Sequence, residues 1–134
     1  GVLDDLIEYL SQHAALRTIA ARRAGRRDEA RRIIDWCIAL GRTMSTRLPR
    51  AAGPHLMIGR AIEQEAKLSW GPPADEAAVE RALRSALDEV ALAQALEPDR
   101  EEARRTLAGL REKYLRLLAH EPERPGRTPP EPAH

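Results

Sequence analysis

The sequence predicts an all-α domain of about five antiparallel helices, followed by an extended proline-rich tail. Apolar residues recur with the 3.6-residue period of a helix in nearly every segment of the chain. The abundant Leu, Ala, Glu and Arg favour helices, whereas the aromatic residues that suit strands make up only 3% of the chain. Short Gly and Pro connectors separate the periodic segments, and connectors of this kind favour antiparallel neighbours.

The first two helices are separated by Gly25. We expect the first over about residues 4–24, with Gly25 ending it, because glycine adopts the left-handed conformation of a helix C-cap without strain. We expect the second over about residues 28–48, with Asp28 as its cap and Pro49 directly after its end. The predicted inner faces are Leu3, Leu6, Ile7, Leu10 and Ala14 in the first helix, and Ala30, Ile33, Ile34, Cys37, Ile38, Gly41 and Met44 in the second.

Three more helices are predicted after the second. The third is expected over about residues 54–69, where the segment WGPP breaks it. Asp75 and Asp99 are expected to cap the fourth and fifth helices, which end near Leu96 and Ala119. The apolar residues of the fourth helix cover most of its circumference, so we expect this helix to lie at the centre of the domain.

The chain therefore divides into a helical domain, residues 1–120, and a tail, residues 121–134. The tail contains five prolines in 14 residues, and these remove backbone donors and exclude a helix. We expect an extended polyproline-type segment that docks onto its own domain or onto another chain.

The predicted second and fourth helices share a spacing of small and large apolar residues. The small residues let a neighbouring helix approach closely, and the large residue fills the remaining gap. These residues are Gly25, Ala30, Ile34 and Cys37 at the second helix, and Ala86, Val90, Ala93 and Pro98 at the fourth. The pattern resembles the outer helices of tetratricopeptide (TPR) hairpins. The resemblance implies an array of helical hairpins that binds protein segments along its inner helices, here the first, third and fifth. A plain five-helix bundle is the alternative.

Charge is unevenly distributed along the chain, although its formal net charge is only +1. Residues 1–70 carry 12 basic and 8 acidic groups, a net charge of +4, whereas residues 71–134 carry 10 and 13, a net charge of −3. Of the 22 basic residues 20 are Arg, a bias that we attribute to a GC-rich bacterial genome. The whole chain therefore has no general attraction for nucleic acids or anionic membranes.

The segment 17–60 is the most basic part of the chain, with 11 Arg and three acidic residues, a net charge of +8. We expect it to contact an acidic protein partner. Nucleic-acid binding by this segment is a less favoured interpretation, because we expect no exposed aromatic residues interleaved for base stacking and the helices are long for a helix-turn-helix motif. The candidate partner-docking arginines are Arg22, Arg23, Arg26, Arg27 and Arg31.

Four large apolar or aromatic residues are candidate anchors for a partner. Trp and Tyr often contribute most of the binding energy at protein interfaces. Trp36 and Leu40 lie off the main apolar stripe of the second helix. Tyr9 lies on the first helix, and Trp70 is the first residue of the WGPP segment that ends the third. The alternative interpretation is that these residues form a secondary core against the third helix.

No catalytic site, metal site or cofactor is predicted. The four histidines and the single cysteine do not form the clusters that metal binding requires, and the glycines occur singly instead of in a phosphate-binding loop. Cys37 is flanked by apolar residues, so we expect a buried and unreactive thiol.

The sequence thus predicts a non-catalytic module that docks a protein or peptide through a helical face. The alternative is a structural or accessory subunit of a larger complex. No transmembrane segment is expected, since no uncharged apolar run approaches the roughly 18 residues that a spanning helix needs. We expect a soluble domain whose compartment stays open, either cytoplasmic or, behind a leader or anchor upstream of Gly1, extracytoplasmic.

Overall fold

A computed structural model describes residues 1–119 of the chain. Five helices lie in this range, and no strand is found among the described residues, which confirms the all-α class. The predicted tail, residues 121–134, lies outside the described residues. The helices are α1 (Val2–Arg23), α2 (Arg27–Arg47), α3 (Ala52–Trp70), α4 (Glu76–Leu96) and α5 (Glu101–Leu118).

Gly25 ends α1 as predicted. Its φ angle is 78°, in the left-handed region that favours glycine. The N–H of Gly25 donates to the carbonyl of Arg22 at 3.1 Å, and the N–H of Arg26 donates to the carbonyl of Ala21 at 2.8 Å. These two bonds form a Schellman motif, which satisfies carbonyls that the helix end would otherwise leave unpaired.

The predicted N-caps are right in one helix and wrong in two. The side chain of Asp75 accepts a hydrogen bond of 3.0 Å from the backbone N–H of Ala78, which caps α4 as expected. Asp28 instead lies in the first turn of α2, and Asp99 lies outside α5. An arginine occupies the cap position of each of these two helices and makes no side-chain capping bond. Acidic residues in the first turn favour both helices through the helix dipole instead.

Helix α3, not α4, lies at the centre of the domain. It packs against each of the other four helices, whereas α4 packs against α3 and α5. The prediction for α4 was wrong because its small apolar residues form one buried stripe, while others such as Leu92 are exposed. The buried residues of α3 are Ala52, Gly53, Pro54, Leu56, Met57, Ile58, Gly59, Ala61, Ile62, Gln64, Ala66 and Leu68.

The core consists of two clusters that meet at α3. One joins α3 to α4 and α5, and the other joins α3 to α1 and α2. The predicted repeat positions Ala86, Val90 and Ala93 are buried in the first cluster. Ala30, Ile34 and Cys37 are buried in the second, while Pro98 is exposed just beyond the end of α4.

The buried face of α1 differs from the predicted one. Ile7 and Ala14 are buried as expected, but Leu3 and Leu6 are 43% and 49% exposed. The reason is that α1 packs mainly through small residues, which allow a close approach to its neighbours. The buried stripe therefore follows these small residues, and the leucines lie outside it. The buried stripe of α1 is Ile7, Ser11, Ala14, Thr18 and Ala21.

Two glycines let α2 and α4 approach the central helix. A Cβ atom at Gly41 of α2 would overlap the side chain of Ile58 in α3 and would lie 3.1 Å from the carbonyl oxygen of Pro54. A Cβ atom at Gly59 of α3 would overlap the side chain of Val90 in α4. The contacts of α3 with α2 and with α4 therefore both depend on a missing side chain.

We expect Gly41→Ala and Gly59→Ala each to lower the free energy of unfolding by about 1–3 kcal/mol, because the added methyl group overpacks a helix contact. Gly109→Ala on α5 is the matched control, since a Cβ atom there meets nothing within 4 Å. It should raise the free energy of unfolding by about 0.5–1 kcal/mol through helix propensity. Urea denaturation measures all three values, and a stability gain at position 41 or 59 would contradict the close-approach model.

Candidate functional site

A groove of about 510 Å³ runs along the outer side of α1 and α2. Trp36 of α2 is 50% exposed and lines it, although a tryptophan has more apolar surface to bury than almost any other residue. The residues that line this α1–α2 groove are Leu10, His13, Ala14, Arg17, Glu29, Arg32, Ile33 and Trp36.

The groove exists because the apolar surface of α2 is wider than the stripe that the fold buries completely. That stripe includes Ile34 and Cys37 and packs in the core. A second apolar stripe follows helical spacing through Ile33, Trp36 and Leu40. Ile33 and Leu40 are half-buried against the core cluster, whereas Trp36 is left half exposed on the outer side. Within residues 1–119, α2 packs against α1 and α3, so no further described helix covers Trp36.

Helix α1 contributes the other wall of the groove. The exposed Leu6 and the half-buried Leu10 continue the apolar surface along this helix. Tyr9 stacks on His13 with their ring centroids 6.0 Å apart and their planes 8° apart, and His13 lines the groove. Tyr9, one of the predicted anchors, therefore stands at the edge of the groove, next to a lining residue.

The charged groups of the groove are mainly basic. Arg17 of α1 and Arg32 of α2 line it from its two sides. Glu29 is the acidic residue in the lining, and its carboxylate is paired with Arg26 at 2.6 Å. Within the described part of the chain, neither Arg17 nor Arg32 lies within salt-bridge distance of a carboxylate. An acidic ligand would therefore find uncompensated positive charge at this groove.

The five predicted docking arginines do not form one patch. Arg31 donates to Glu65 at 2.6 Å and joins α2 to α3, and Arg26 is held by Glu29. Arg27 lies with its guanidinium against Gly71, at the end of α3. Arg23 is exposed, whereas Arg22 is half-buried and its charge acts on Lys67 of α3.

The remaining predicted anchors lie in different places. Leu40 is half-buried and packs against the cluster of α1, α2 and α3, next to the groove. Trp70 packs against the cluster of α3, α4 and α5 and does not line the groove. The secondary-core interpretation thus describes Leu40 and Trp70, whereas Trp36 is half exposed at the groove.

Sequence reasoning missed Leu10, His13, Arg17, Arg32 and Ile33 as residues of one surface. The signal that could have found them is the second apolar stripe of α2, in which Ile33 precedes Trp36 by three residues. The matching residues on α1 depend on how the two helices rotate against each other, and periodicity alone does not give this rotation.

Cys37 is buried, and burial raises the pKa of its thiol to about 11. At neutral pH the sulfur is therefore a neutral thiol, whereas nucleophilic catalysis needs a thiolate. Among the described residues, no group of three or more His, Cys, Asp or Glu side chains could hold a metal ion. Nor is any helix in that range long and apolar enough to cross a membrane.

We expect the native Cys37 thiol to react with a thiol reagent far more slowly than the thiol of the denatured chain, because it is buried and protonated. Labelling at equal rates would contradict its burial.

Cys37→Ala should change stability little, whereas Cys37→Leu should lower it by about 1–3 kcal/mol through overpacking. The folded pKa lies above the ordinary value of 9.0, so this thiol's contribution to stability is complete below pH 9 and declines as the pH rises towards 11.

Comparison with known proteins gives no family assignment: no family model, no curated protein and no solved structure matches the chain significantly. The functional argument therefore depends on the chemistry of the surfaces themselves.

Proposed function

We propose that this chain is a non-catalytic interaction module whose α1–α2 groove binds an amphipathic helix with acidic residues along its edges. The observation that carries the proposal is the half-exposed Trp36, which lies in an apolar groove that no described helix covers. A large aromatic residue in such a position is typical of the residues that dominate binding energy.

The shape of the groove favours a helix as the ligand. It lies between two antiparallel helices, and its apolar residues follow the helix axes through Leu10, Ile33 and Trp36. A helix that presents apolar residues at positions i, i+3 and i+7 could bury them along such a surface. The ordering cost of the groove is low, because both walls belong to helices that are already packed on α3.

The charges favour an acidic ligand. Arg17 and Arg32 have no carboxylate partner among the described residues, so acidic side chains beside the ligand's apolar stripe would pair with them. A nucleic acid is less well supported, because the arginines of segment 17–60 are spread over several surfaces and some are already paired.

The packing order of the helices supports a TPR-like arrangement as part of this proposal. Each of the pairs α1 and α3, and α3 and α5, is in contact, while α2 and α4 carry the small residues Ala30 and Ala86 at buried positions. In an array of helical hairpins, alternate helices line an inner surface in this way. The α1–α2 groove would then lie at the N-terminal end of the array, where a further helix could stack.

A second candidate function is a structural subunit with a permanent partner. It is favoured by the exposed leucines at positions 3 and 6, which extend the apolar surface beyond the groove, as in obligate interfaces. The two functions differ in the free chain: a docking module should be monomeric and stable alone, whereas a permanent subunit should aggregate or self-associate.

Selection from a display library of helical peptides tests the proposal. We expect peptides enriched on the full chain to carry an apolar i, i+3, i+7 stripe flanked by Glu and Asp. Trp36→Ala should weaken their binding by at least about tenfold, the usual cost of losing an aromatic anchor.

Leu115→Ala is the matched control, since Leu115 is 64% exposed on α5, and it should leave the affinity within about twofold because single exposed apolar residues seldom matter. Both variants should keep the melting temperature of the original chain. Peptides that bind Trp36→Ala as tightly as the original chain, or that are enriched in Lys and Arg, would contradict the proposal.

A further inference from the structure

The inner surface of the domain, formed by α1, α3 and α5, carries a second feature that the groove does not explain. Helix α3 lies between α1 and α5 and packs against both. Charged side chains from the three helices meet there. Arg60 of α3 bonds to Glu8 of α1 at 3.0 Å, and Lys113 of α5 pairs with Glu63 of α3.

The charges are unbalanced along this surface. Near the N-terminus of α3, acidic residues dominate: Arg100 contacts Asp4 at 3.2 Å and lies 3.8 Å from Glu8 and 3.5 Å from Glu97. Arg60 and Arg100 each have at least one carboxylate within salt-bridge distance. The attraction between opposite charges therefore accounts for this end of the surface without a ligand.

Near the C-terminus of α3 the balance reverses. Lys113 of α5 pairs with Glu63 of α3, and Lys67 follows Glu63 by about one helical turn on the same helix. The charges of Lys113 and of Arg22, near the end of α1, both act on Lys67. Three positive charges and one negative charge give the cluster a net charge of +2. We call these four residues the inner cationic cluster.

Two observations indicate that Glu63 alone does not compensate the positive charge of this cluster among the described residues. The Nε atom of Arg22 is buried and has no hydrogen-bond partner among the described residues. Burial lowers the pKa of Lys67, and the charges of Lys113 and Arg22 lower it further, against the opposite effect of Glu63. Holding unpaired donors and like charges together in a partly buried site costs free energy, and a bound anion would offset this cost.

We propose that Arg22, Lys67 and Lys113 form a binding site for a dianionic phosphate group. Two negative charges match the net +2 of the cluster, whereas a single carboxylate would leave one charge unpaired. The donors also fit, because guanidinium and ammonium groups are the side chains that most often bind phosphate oxygens. This site lies on a different surface from the α1–α2 groove and does not depend on the function proposed for that groove.

The chain offers a direct probe of this site, because its only two lysines, Lys67 and Lys113, both belong to the cluster. In the full chain labelled with ¹³C and ¹⁵N at lysine, side-chain NMR signals therefore report on the cluster itself. We expect inorganic phosphate and phenyl phosphate, titrated at constant ionic strength, to shift both lysine signals in a saturable way. Acetate should bind at least about tenfold more weakly, because it carries half the charge.

Arg22→Gln is the test variant, since it keeps both lysine probes and removes one donor. It should weaken phosphate binding by about tenfold or more, as expected for the loss of a charge-assisted hydrogen bond. Arg23→Gln is the matched control, because it removes the same charge from the next, exposed residue and should leave the affinity within about twofold. If Arg22→Gln does not fold, as judged by circular dichroism, Lys67→Gln with the remaining Lys113 signal takes its place.

The two phosphate compounds distinguish the source of the ligand. Equal affinities assign the site to the phosphate group alone, and a higher affinity for phenyl phosphate assigns it to a monoester on a larger molecule; both results support the site. Lysine shifts that rise linearly without saturation, equal affinities for acetate and phosphate, or equal weakening in Arg22→Gln and Arg23→Gln would each overturn the proposal.

Discussion

The enclosure of α3 by close helix contacts is the constraint on which the rest of this structure depends. Because Gly41 has no side chain, α2 can approach the backbone of α3 at Pro54. Because Gly59 of α3 has none either, Val90 of α4 can approach the backbone of α3 there. With two helices this close, α3 loses nearly all of its exposed surface, and the two core clusters meet on its sides. Burial of this area supplies most of the driving force for the fold, at roughly 25 cal/mol per Å² of apolar surface.

The polar residues of α3 determine how the other helices are placed around it. Arg60 pairs with Glu8 of α1, Glu65 with Arg31 of α2, and Glu63 with Lys113 of α5. On the α4 side, Nδ1 of His55 lies 3.0 Å from Glu89, which also pairs with Arg42. Pairs of this kind add little net stability, since desolvation offsets their attraction. Because each one joins α3 to a different helix, they favour one order and register of the helices over others.

The periodicity of the sequence predicted the five helices, the break at Gly25 and the cap at Asp75, because these depend on local chemistry. It did not predict which helix is central. The apolar residues of α4 suggested that position, yet the contacts at Gly41 and Gly59 place α3 there, and a contact between distant segments has no local signal. The candidate site was only partly predicted. Trp36 could be identified because it lies off the main apolar stripe of its own helix, whereas the lining residues of α1 depend on a contact between two helices, which has no local signal.

Both proposed sites are consequences of how α1 and α2 pack on α3. The buried residues Ala14 and Ala30 belong to the cluster that joins α1 and α2 to α3, whereas Trp36 is left half exposed on the outer side. On the inner side, α1 approaches α3 closely enough to bring Arg22 near Lys67, and α5 adds a third positive charge. The outer groove and the inner cationic cluster therefore have one cause, and they face different sides of α1, so a ligand at one would leave the other accessible.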